Sequence, residues 1–135
     1  MSDWNQQIIE EFRANGGAVG GPFEGRPLLL LHHVGARTGA ARVTPLMYQA
    51  VEGGYAIFAS KAGADSNPDW YYNLMATPQT RVELGSEMVE VTAREIDGDD
   101  YDRIWSKQKA DHPFFAEYEQ KTARPMIPVI VLERR

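Results

Sequence analysis

Residues 28–60 read LLLLHHVGARTGAARVTPLMYQAVEGGYAIFAS, and this stretch decides the fold. Leu28–His33 is an apolar run too short for a helix, which predicts a buried strand. Arg42–Val51 is rich in β-branched and aromatic residues, and Tyr55–Ser60 follows it across a Glu-Gly-Gly turn, so the two segments predict a hairpin. Pro45 has no N–H to donate, which places the first strand of that hairpin at a sheet edge or gives it a bulge.

The remaining segments add helices, a second hairpin and a last strand. The first predicted helix is Asp3–Ala14, with Trp4, Ile8 and Phe12 on one face, and a glycine-rich connector follows it to Gly25. A second helix is capped by Ser66 or Asn67 and ends at Thr77, and a helical region Asp97–Gln120 breaks at His112-Pro113. The further strands are Thr80–Leu84, Met88–Glu95 and Ile127–Glu133. Six strands with short turns and few helices predict a mainly β protein with flanking helices, built as a small closed or split β-barrel. We predict one domain over residues 1–135, of which residues 1–24 form the N-terminal helix and a flexible connector.

Composition limits the chemistry. The chain has 135 residues, no cysteine and a net charge of -5. The lack of cysteine excludes disulfides, thiolate metal sites and cysteine nucleophiles. The acidic balance argues against nucleic acid as a partner. The three histidines have no metal-site spacing, and the first residues do not form a signal peptide, so a cytoplasmic protein without a metal is expected.

A basic, glycine-containing segment follows the first strand. Gly35, Arg37, Thr38, Gly39 and Arg42 combine close backbone approach with two guanidinium groups. Such a turn can bind phosphate or carboxylate oxygens, because glycine exposes backbone N–H groups and arginine offers a fork of donors. The residues alone also fit an ordinary hairpin turn with solvated arginines. The segment is neither a Walker loop nor a Rossmann fingerprint.

A second candidate segment ends the third strand. Ser60 and Lys61 lie just before a predicted helix, where the helix N-terminus favours anions and the lysine adds a positive charge. A plain strand-to-helix loop with a capping serine is the alternative.

Three stretches of the chain resemble one family. VGARTGAARVTPL (34–46), ASKAGADSNPDWYYNL (59–74) and RPMIPVIVL (124–132) are similar, in this order, to the deazaflavin-dependent nitroreductases, and the likeness extends over residues 25 to 133. The resemblance implies a split β-barrel like that of the FMN-binding oxidoreductases. It also implies coenzyme F420, an 8-hydroxy-5-deazaflavin with a phosphodiester and an anionic oligoglutamate tail.

The resemblance also implies the site residues. Arg37 and Arg42 would hold the anionic end, Ser60 and Lys61 would lie near the phosphate or the ring, and residues 44–46 would line the ring. The implied cofactor-binding residues are Arg37, Thr38, Gly39, Arg42, Thr44, Pro45, Leu46, Ser60, Lys61, Ala62, Trp70 and Asn73.

The implied reaction is hydride transfer from reduced F420 to a quinone, a nitro-heterocycle or an activated enone. Met47, Phe115 and Tyr118 would line the acceptor pocket, and Tyr118, Ser60 or water would supply the proton. Met47 and Phe115 replace tyrosines of the nitroimidazole-reducing members, so we expect poor reduction of nitroimidazole prodrugs while quinones are accepted.

Two other functions stay open at this stage. One is an FMN-dependent oxidoreductase on the same barrel, and the other is a deazaflavin-binding protein without turnover. The N-terminal helix is either a lid over the acceptor or permanently packed on the barrel. Its acidic residues disfavour more than weak contact with a membrane surface. A homodimer is compatible with the sequence.

Overall fold

Seven antiparallel strands form one curled sheet. The structure is a computed structural model, and it describes residues 3–20 and 25–135, without the side chains of Asp3 and Trp4. The strands are β1 (Leu28–Val34), β2 (Ala41–Met47), β3 (Gln49–Val51), β4 (Gly54–Phe58), β5 (Gln79–Leu84), β6 (Glu87–Glu95) and β7 (Val129–Arg134). The helices are α1 (Asp3–Ala14), α2 (Asp69–Ala76), α3 (Gly98–Asp111) and α4 (Phe114–Lys121). The inward position predicted for Trp4 and the middle of the predicted connector, residues 21–24, lie outside the described residues.

The predicted strand Arg42–Val51 is wrong as a single element. The sheet order is β2-β1-β5-β6-β7-β4-β3, so β2 and β3 form opposite edges. Tyr48 alone separates them, and its N–H donates to the carbonyl of Pro27 at 3.1 Å. Two edges that one residue joins must lie close together, so the sheet curls into the predicted split β-barrel. Pro45 lies on the edge strand β2, as predicted.

The inside of the curl is the main core. Leu29 and Leu31 of β1 share one buried cluster with Ile57 of β4, although three strands separate β1 from β4 in the sheet. Trp70 and Leu74 of α2 are buried in the same cluster, so α2 fills the barrel from one end. Tight packing of these side chains fixes α2 against the strands that carry the candidate site.

Helices cover the outer face in two places. On one side, α3 and α4 pack on β4 and β7 through an aromatic cluster that includes Phe58, Trp105 and Phe115. On the other side, Ile8, Ile9 and Phe12 of α1 are buried against β1. Among the described residues, no helix is long and apolar enough to cross a bilayer.

A charge cluster fixes α1 further. The guanidinium of Arg13 donates from Nε and Nη2 to both carboxylate oxygens of Glu83, at 3.0 and 2.7 Å. His32 Nε2 lies 2.7 Å from the same carboxylate. The hydrogen bond from Arg13 lowers the pKa of Glu83, so this carboxylate is ionised at neutral pH. In this structure α1 is therefore packed on the barrel, which is one of the two states considered for it.

Of two predictions about helix ends, one is confirmed and one is wrong. The break predicted at His112-Pro113 is confirmed, because α3 ends at Asp111 and α4 begins at Phe114. The side-chain cap predicted for α2 is wrong: Pro68 occupies the cap position, and no side chain caps the helix. Asn67 accepts instead from Arg124, and Ser66 Oγ accepts from Lys61.

Gly54→Ala tests the close approach of β4 and β7. A Cβ at this position would lie 2.1 Å from the carbonyl oxygen of Leu132, which belongs to the backbone and cannot move aside without breaking the ladder. We expect a loss of about 3 kcal/mol or more in the free energy of unfolding, measured by urea denaturation. Gly53→Ala is the matched control, since its Cβ meets nothing within 4 Å and only its positive φ of 78° is strained. Equal stability losses in the two variants would contradict the packing described here.

Candidate functional site

A groove opens where the β1–β2 turn faces α2. Its first part has a volume of about 670 Å³ and is lined by Arg37, Thr38, Arg42, Asp69, Tyr72 and Asn73, among others. A second part of about 390 Å³ shares Arg42 and Asp69 with the first and continues past Thr44 and Trp70 to α1. The structure thus brings together six of the predicted cofactor residues: Arg37, Thr38, Arg42, Thr44, Trp70 and Asn73.

The β1–β2 turn is closed by its own backbone. Gly39 N–H donates to the carbonyl of Gly35 at 2.8 Å, and Gly35 N–H donates to that of Ala40 at 2.9 Å. The φ of 69° at Gly39 favours glycine, and a Cβ on Gly35 would lie 2.7 Å from Thr38 Oγ1, so a side chain at Gly35 would force the Thr38 hydroxyl to move. Within the described residues, the N–H groups of Arg37 and Thr38 have no hydrogen-bond partner. Adjacent free N–H groups of this kind can bind an anion.

The two arginines at the groove carry unpaired charge. None of the ion pairs in the described part of the chain includes Arg37 or Arg42, and both residues are exposed. The carboxylate of Asp69 lines the same groove without forming an ion pair with either arginine. The groove therefore has a net positive charge in an acidic protein, which suits an anionic ligand.

A polar chain ties the turn to the barrel. Asn73 accepts from the N–H of Ala36 at 2.9 Å and donates from Nδ2 to His33 Nδ1 at 3.0 Å. His33 Nε2 lies 2.9 Å from Thr44 Oγ1. Because His33 Nδ1 accepts, the ring proton lies on Nε2 and is donated to Thr44. The hydroxyl proton of Thr44 is then left to donate into the groove.

His33 is neutral at physiological pH. Its side chain is only 6% exposed, and burial together with the charges of Arg42 and His32 lowers its pKa from 6.5 to about 4, although Asp69 acts in the opposite direction. A proton on Nδ1 would also break the hydrogen bond from Asn73. Strand parity predicts that one of the two adjacent histidines faces inward, and the structure identifies that residue as His33.

The second predicted segment forms a strained turn. Lys61 and Ala62 have φ values of 47° and 53°, and Gly63 has 81°, so these three residues make a left-handed turn between β4 and α2. Left-handed non-glycine residues cost on the order of 1–3 kcal/mol each and persist only where the surrounding structure holds them. Ser60 is half-buried, whereas Lys61 and Ala62 are exposed. Lys61 Nζ donates to Ser66 Oγ at 3.3 Å.

The other predicted residues are dispersed around the barrel. Pro45 and Leu46 are half-buried on β2, where Leu46 packs against the inner core. Met47 packs between the α1 cluster and the outer aromatic cluster. Tyr118 is half-buried and its ring centroid lies 5.6 Å from that of Phe115. Phe115 itself is a buried core residue against Phe58, and its place in an acceptor pocket stays a prediction.

Several residues that line the groove were not predicted as site residues, among them His33, Asp69 and Tyr72. His33 had a signal in the strand parity, but nothing in the sequence linked it to Asn73. Asp69 and Tyr72 line the groove because α2 turns their side chains towards the β1–β2 turn. Asp69 lies four residues before Asn73, so a helix places both on one face, and this spacing was the signal that could have found it.

Comparison with known proteins identifies the family. A family model described as F420H(2)-dependent quinone reductase matches residues 4–134. An F420H(2)-dependent quinone reductase of Mycobacterium tuberculosis is 38% identical over 130 residues, which are 92% of this chain and 85% of the relative. The chain belongs to the F420H(2)-dependent quinone reductase family. It is an oxidoreductase whose cofactor is coenzyme F420, which confirms the resemblance to the deazaflavin-dependent reductases.

Solved structures agree with this family and fold. A structure described as an F420-H2 dependent reductase, FDR-A, is 38% identical, with a TM-score of 0.72 over 80% of this chain and 95% of its own. A second structure, described as a domain-swapped dimer, is 36% identical, with a TM-score of 0.74 over 97% of this chain and 98% of its own. The split β-barrel predicted from the sequence is confirmed.

The groove fits the anionic end of this cofactor. F420 has a phosphodiester and carboxylates. The groove presents two guanidinium groups and two backbone N–H groups that have no partner among residues 3–20 and 25–135. The polar chain through Asn73 satisfies the buried groups behind these donors, so the charges at the groove are left for a ligand.

The pH dependence of stability tests the state of His33. Between pH 6.5 and about 4 the unfolded chain binds a proton that folded His33 does not bind, so the free energy of unfolding falls as the pH is lowered through this window. The contribution amounts to about 3 kcal/mol across the window. His33→Gln cannot titrate, and we expect a shallower fall in urea unfolding measured at several pH values. Parallel pH curves for the two proteins would contradict a neutral, buried His33.

Proposed function

We propose that this reductase binds F420 in the groove between the β1–β2 turn and α2 and transfers hydride to a quinone-like acceptor. One observation carries the placement: Arg37 and Arg42 face the groove without ion-pair partners in the described residues, beside free backbone N–H groups. The acceptor class is supported by the quinone reductases to which the chain is similar.

The basic end of the groove would bind the phosphate and the carboxylates. Arg37 and Arg42 supply forked donors, and the β1–β2 turn supplies the backbone N–H groups of Arg37 and Thr38. Asn73 supports that turn from below and is a positioning residue, since both polar atoms of its amide are already engaged. Lys61, Ser60 and Ala62 would complete the cofactor site from the left-handed turn.

The second part of the groove would hold the ring. Trp70, Val43 and Ile9 of α1 give it apolar surface among polar lining residues, and Pro45 and Leu46 follow Thr44 on β2. The bound deazaflavin supplies the hydride, so the protein needs no nucleophile. Its own residues orient the ring, exclude water and keep donors in place. Neutral His33 would keep one donor in place: it donates to Thr44 Oγ1, which leaves the hydroxyl proton of Thr44 to donate towards the groove.

The acceptor would bind beside the ring, near Met47 and Tyr118. Hydride transfer to a quinone would leave a hydroquinone monoanion that needs one proton. The hydroxyls of Tyr118 and Ser60 are the proposed donors of that proton, with water as the alternative. Met47 offers no hydroxyl for a nitro group, which supports the expectation that nitroimidazole prodrugs are poor acceptors and leaves apolar quinones favoured. A nitro-heterocycle or an activated enone stays the less favoured acceptor.

Anaerobic mixing with reduced F420 and menadione tests the reaction. We expect menadione-dependent reoxidation of the coenzyme, seen as recovery of the oxidised deazaflavin absorbance. A pure binding protein would leave that absorbance unchanged. A separate titration with FMN and F420 tests the FMN-dependent alternative, which tight FMN binding without F420 binding would favour. The two measurements together separate the three functions.

We also propose that the protein can form a homodimer. The support is a structurally similar protein, 36% identical, that is described as a domain-swapped dimer. Sedimentation velocity at micromolar concentrations should show a species of twice the monomer mass, and a monomer at all concentrations would reject the proposal. The cytoplasmic location and a weak membrane contact of α1 stay predictions from the sequence.

Arg42→Ala tests the basic end of the groove. A charge-assisted hydrogen bond to an anion contributes about 1.5–3 kcal/mol, so we expect the Kd of F420 to rise about tenfold to a hundredfold. Titration calorimetry measures this, and added salt should narrow the difference. Arg94→Ala, which removes a guanidinium paired with Glu133 on β7, is the control. Unchanged affinity in Arg42→Ala would show that this turn does not bind the cofactor.

A further inference from the structure

One guanidinium fastens both ends of the left-handed turn. Arg124, which lies between α4 and β7, donates from Nη2 to the carbonyl of Ser60 at 2.8 Å and from Nη1 to that of Ala59 at 2.8 Å. Nη1 also donates to Asn67 Oδ1 at 2.7 Å. Two of these acceptors come just before the turn and the third follows it, so a single side chain sets the distance between its ends.

Neighbouring residues also hold the side chain of Arg124 and the loop that it contacts. Arg124 Nε donates to Thr122 Oγ1 at 2.9 Å, and the hydroxyl of Thr122 donates to the carbonyl of Ala64 at 2.7 Å. The N–H of Ala123 donates to Asp65 Oδ1 at 2.8 Å. Residues 122–124 therefore hold the loop from β4 to α2 at several points, and the orientation of the guanidinium is determined before any ligand binds.

The turn needs such support. Lys61 and Ala62 are the only non-glycine residues with positive φ among those that the structure describes. The left-handed turn has two backbone hydrogen bonds of its own. Gly63 N–H donates to the carbonyl of Ser60 at 2.9 Å, and Ala64 N–H donates to the carbonyl of Lys61 at 3.0 Å. A backbone strained in this way relaxes unless the contacts around it prevent the change. Arg124 makes three of the hydrogen bonds that hold the loop here, and Thr122 and Ala123 make two more.

We propose that Arg124 is a positioning residue for F420, because it holds the left-handed turn in the shape that directs Ser60 and Lys61 to the cofactor. The inference rests on the proposed function, which places these two side chains in the cofactor site. Without the forked contact the turn relaxes, and cofactor binding must then order it again. Preorganisation of a binding loop acts mainly on affinity, so the effect falls on the cofactor and not on the chemical step.

Arg124→Lys is the first test. Lysine keeps the charge but is a single donor group that cannot bridge adjacent carbonyls as the planar fork does. We expect the Kd and the KM of F420 to rise about tenfold, with kcat at saturating cofactor within about a factor of two of wild type. Arg94→Lys is the matched control and should leave both parameters unchanged, since Arg94 forms an exposed pair with Glu133.

Conformational rescue separates this role from a general loss of stability. Glycine adopts positive φ without strain, so adding Ala62→Gly to Arg124→Lys should restore most of the lost affinity. Thr122→Val removes one support of Arg124 and is the milder second variant if Arg124→Lys does not fold; we expect a rise in Kd of about threefold. Circular dichroism and urea unfolding verify the fold of each variant.

Lys61→Ala distinguishes failure of this inference from failure of the proposed site. Weakened binding in Lys61→Ala with wild-type affinity in Arg124→Lys and Thr122→Val would overturn the role of Arg124 and keep the site. Wild-type affinity in all of these variants would remove the turn from the cofactor site. A loss in Arg124→Lys that Ala62→Gly does not restore would overturn the conformational explanation.

Discussion

The architecture depends on one short connection. β2 and β3 are the two edges of a seven-stranded sheet, and only Tyr48 lies between them. One residue spans about 3.5 Å, so the sheet must curl until its edges are neighbours. That curl encloses the inner core, and α2 fills the open end with Trp70 and Leu74. The groove exists because the β1–β2 turn, at the rim of this curl, faces the polar side of α2.

The polar groups behind the groove are satisfied within the protein, and this leaves the charges in front of them for a ligand. His33 is buried, neutral and bonded at both nitrogens, and Asn73 is bonded at both amide atoms. A protonated His33 would be a buried charge, shielded from water and close to the positive charge of Arg42, so the neutral form is favoured. The two arginines, by contrast, stay exposed and unpaired within the described residues. An anion therefore gains contacts there without breaking any that the fold already has.

Features of the fold that depend on a residue and its sequence neighbours could be predicted, and features that depend on remote contacts could not. Pro45 cannot donate to a ladder, which restricted its strand to a sheet edge or a bulge, and β2 is an edge strand. The division of that strand at Tyr48 was missed because residues on both sides have strand propensity, and only the curl of the whole sheet sends them to opposite edges. The predicted cap of α2 failed for a similar reason: Asn67 bonds to Arg124, 57 positions away in sequence. The positive φ values of Lys61 and Ala62 likewise had no local signal, and the loop that carries them is hydrogen-bonded to the same remote Arg124.

The two sides of the proposed site differ in how freely they can vary. The proposed cofactor side consists of a turn with two glycines, a buried amide–imidazole pair and a strained turn, so many substitutions there would disturb the backbone or a buried hydrogen bond. On the proposed acceptor side, Phe115 belongs to the aromatic core, and a hydroxyl added to it would be buried without an assured partner. Met47 and Tyr118 are half-buried and can change with a smaller effect on stability. If the acceptor binds as proposed, substitutions at these two positions can therefore change the acceptor pocket at a lower cost in stability than substitutions at Phe115.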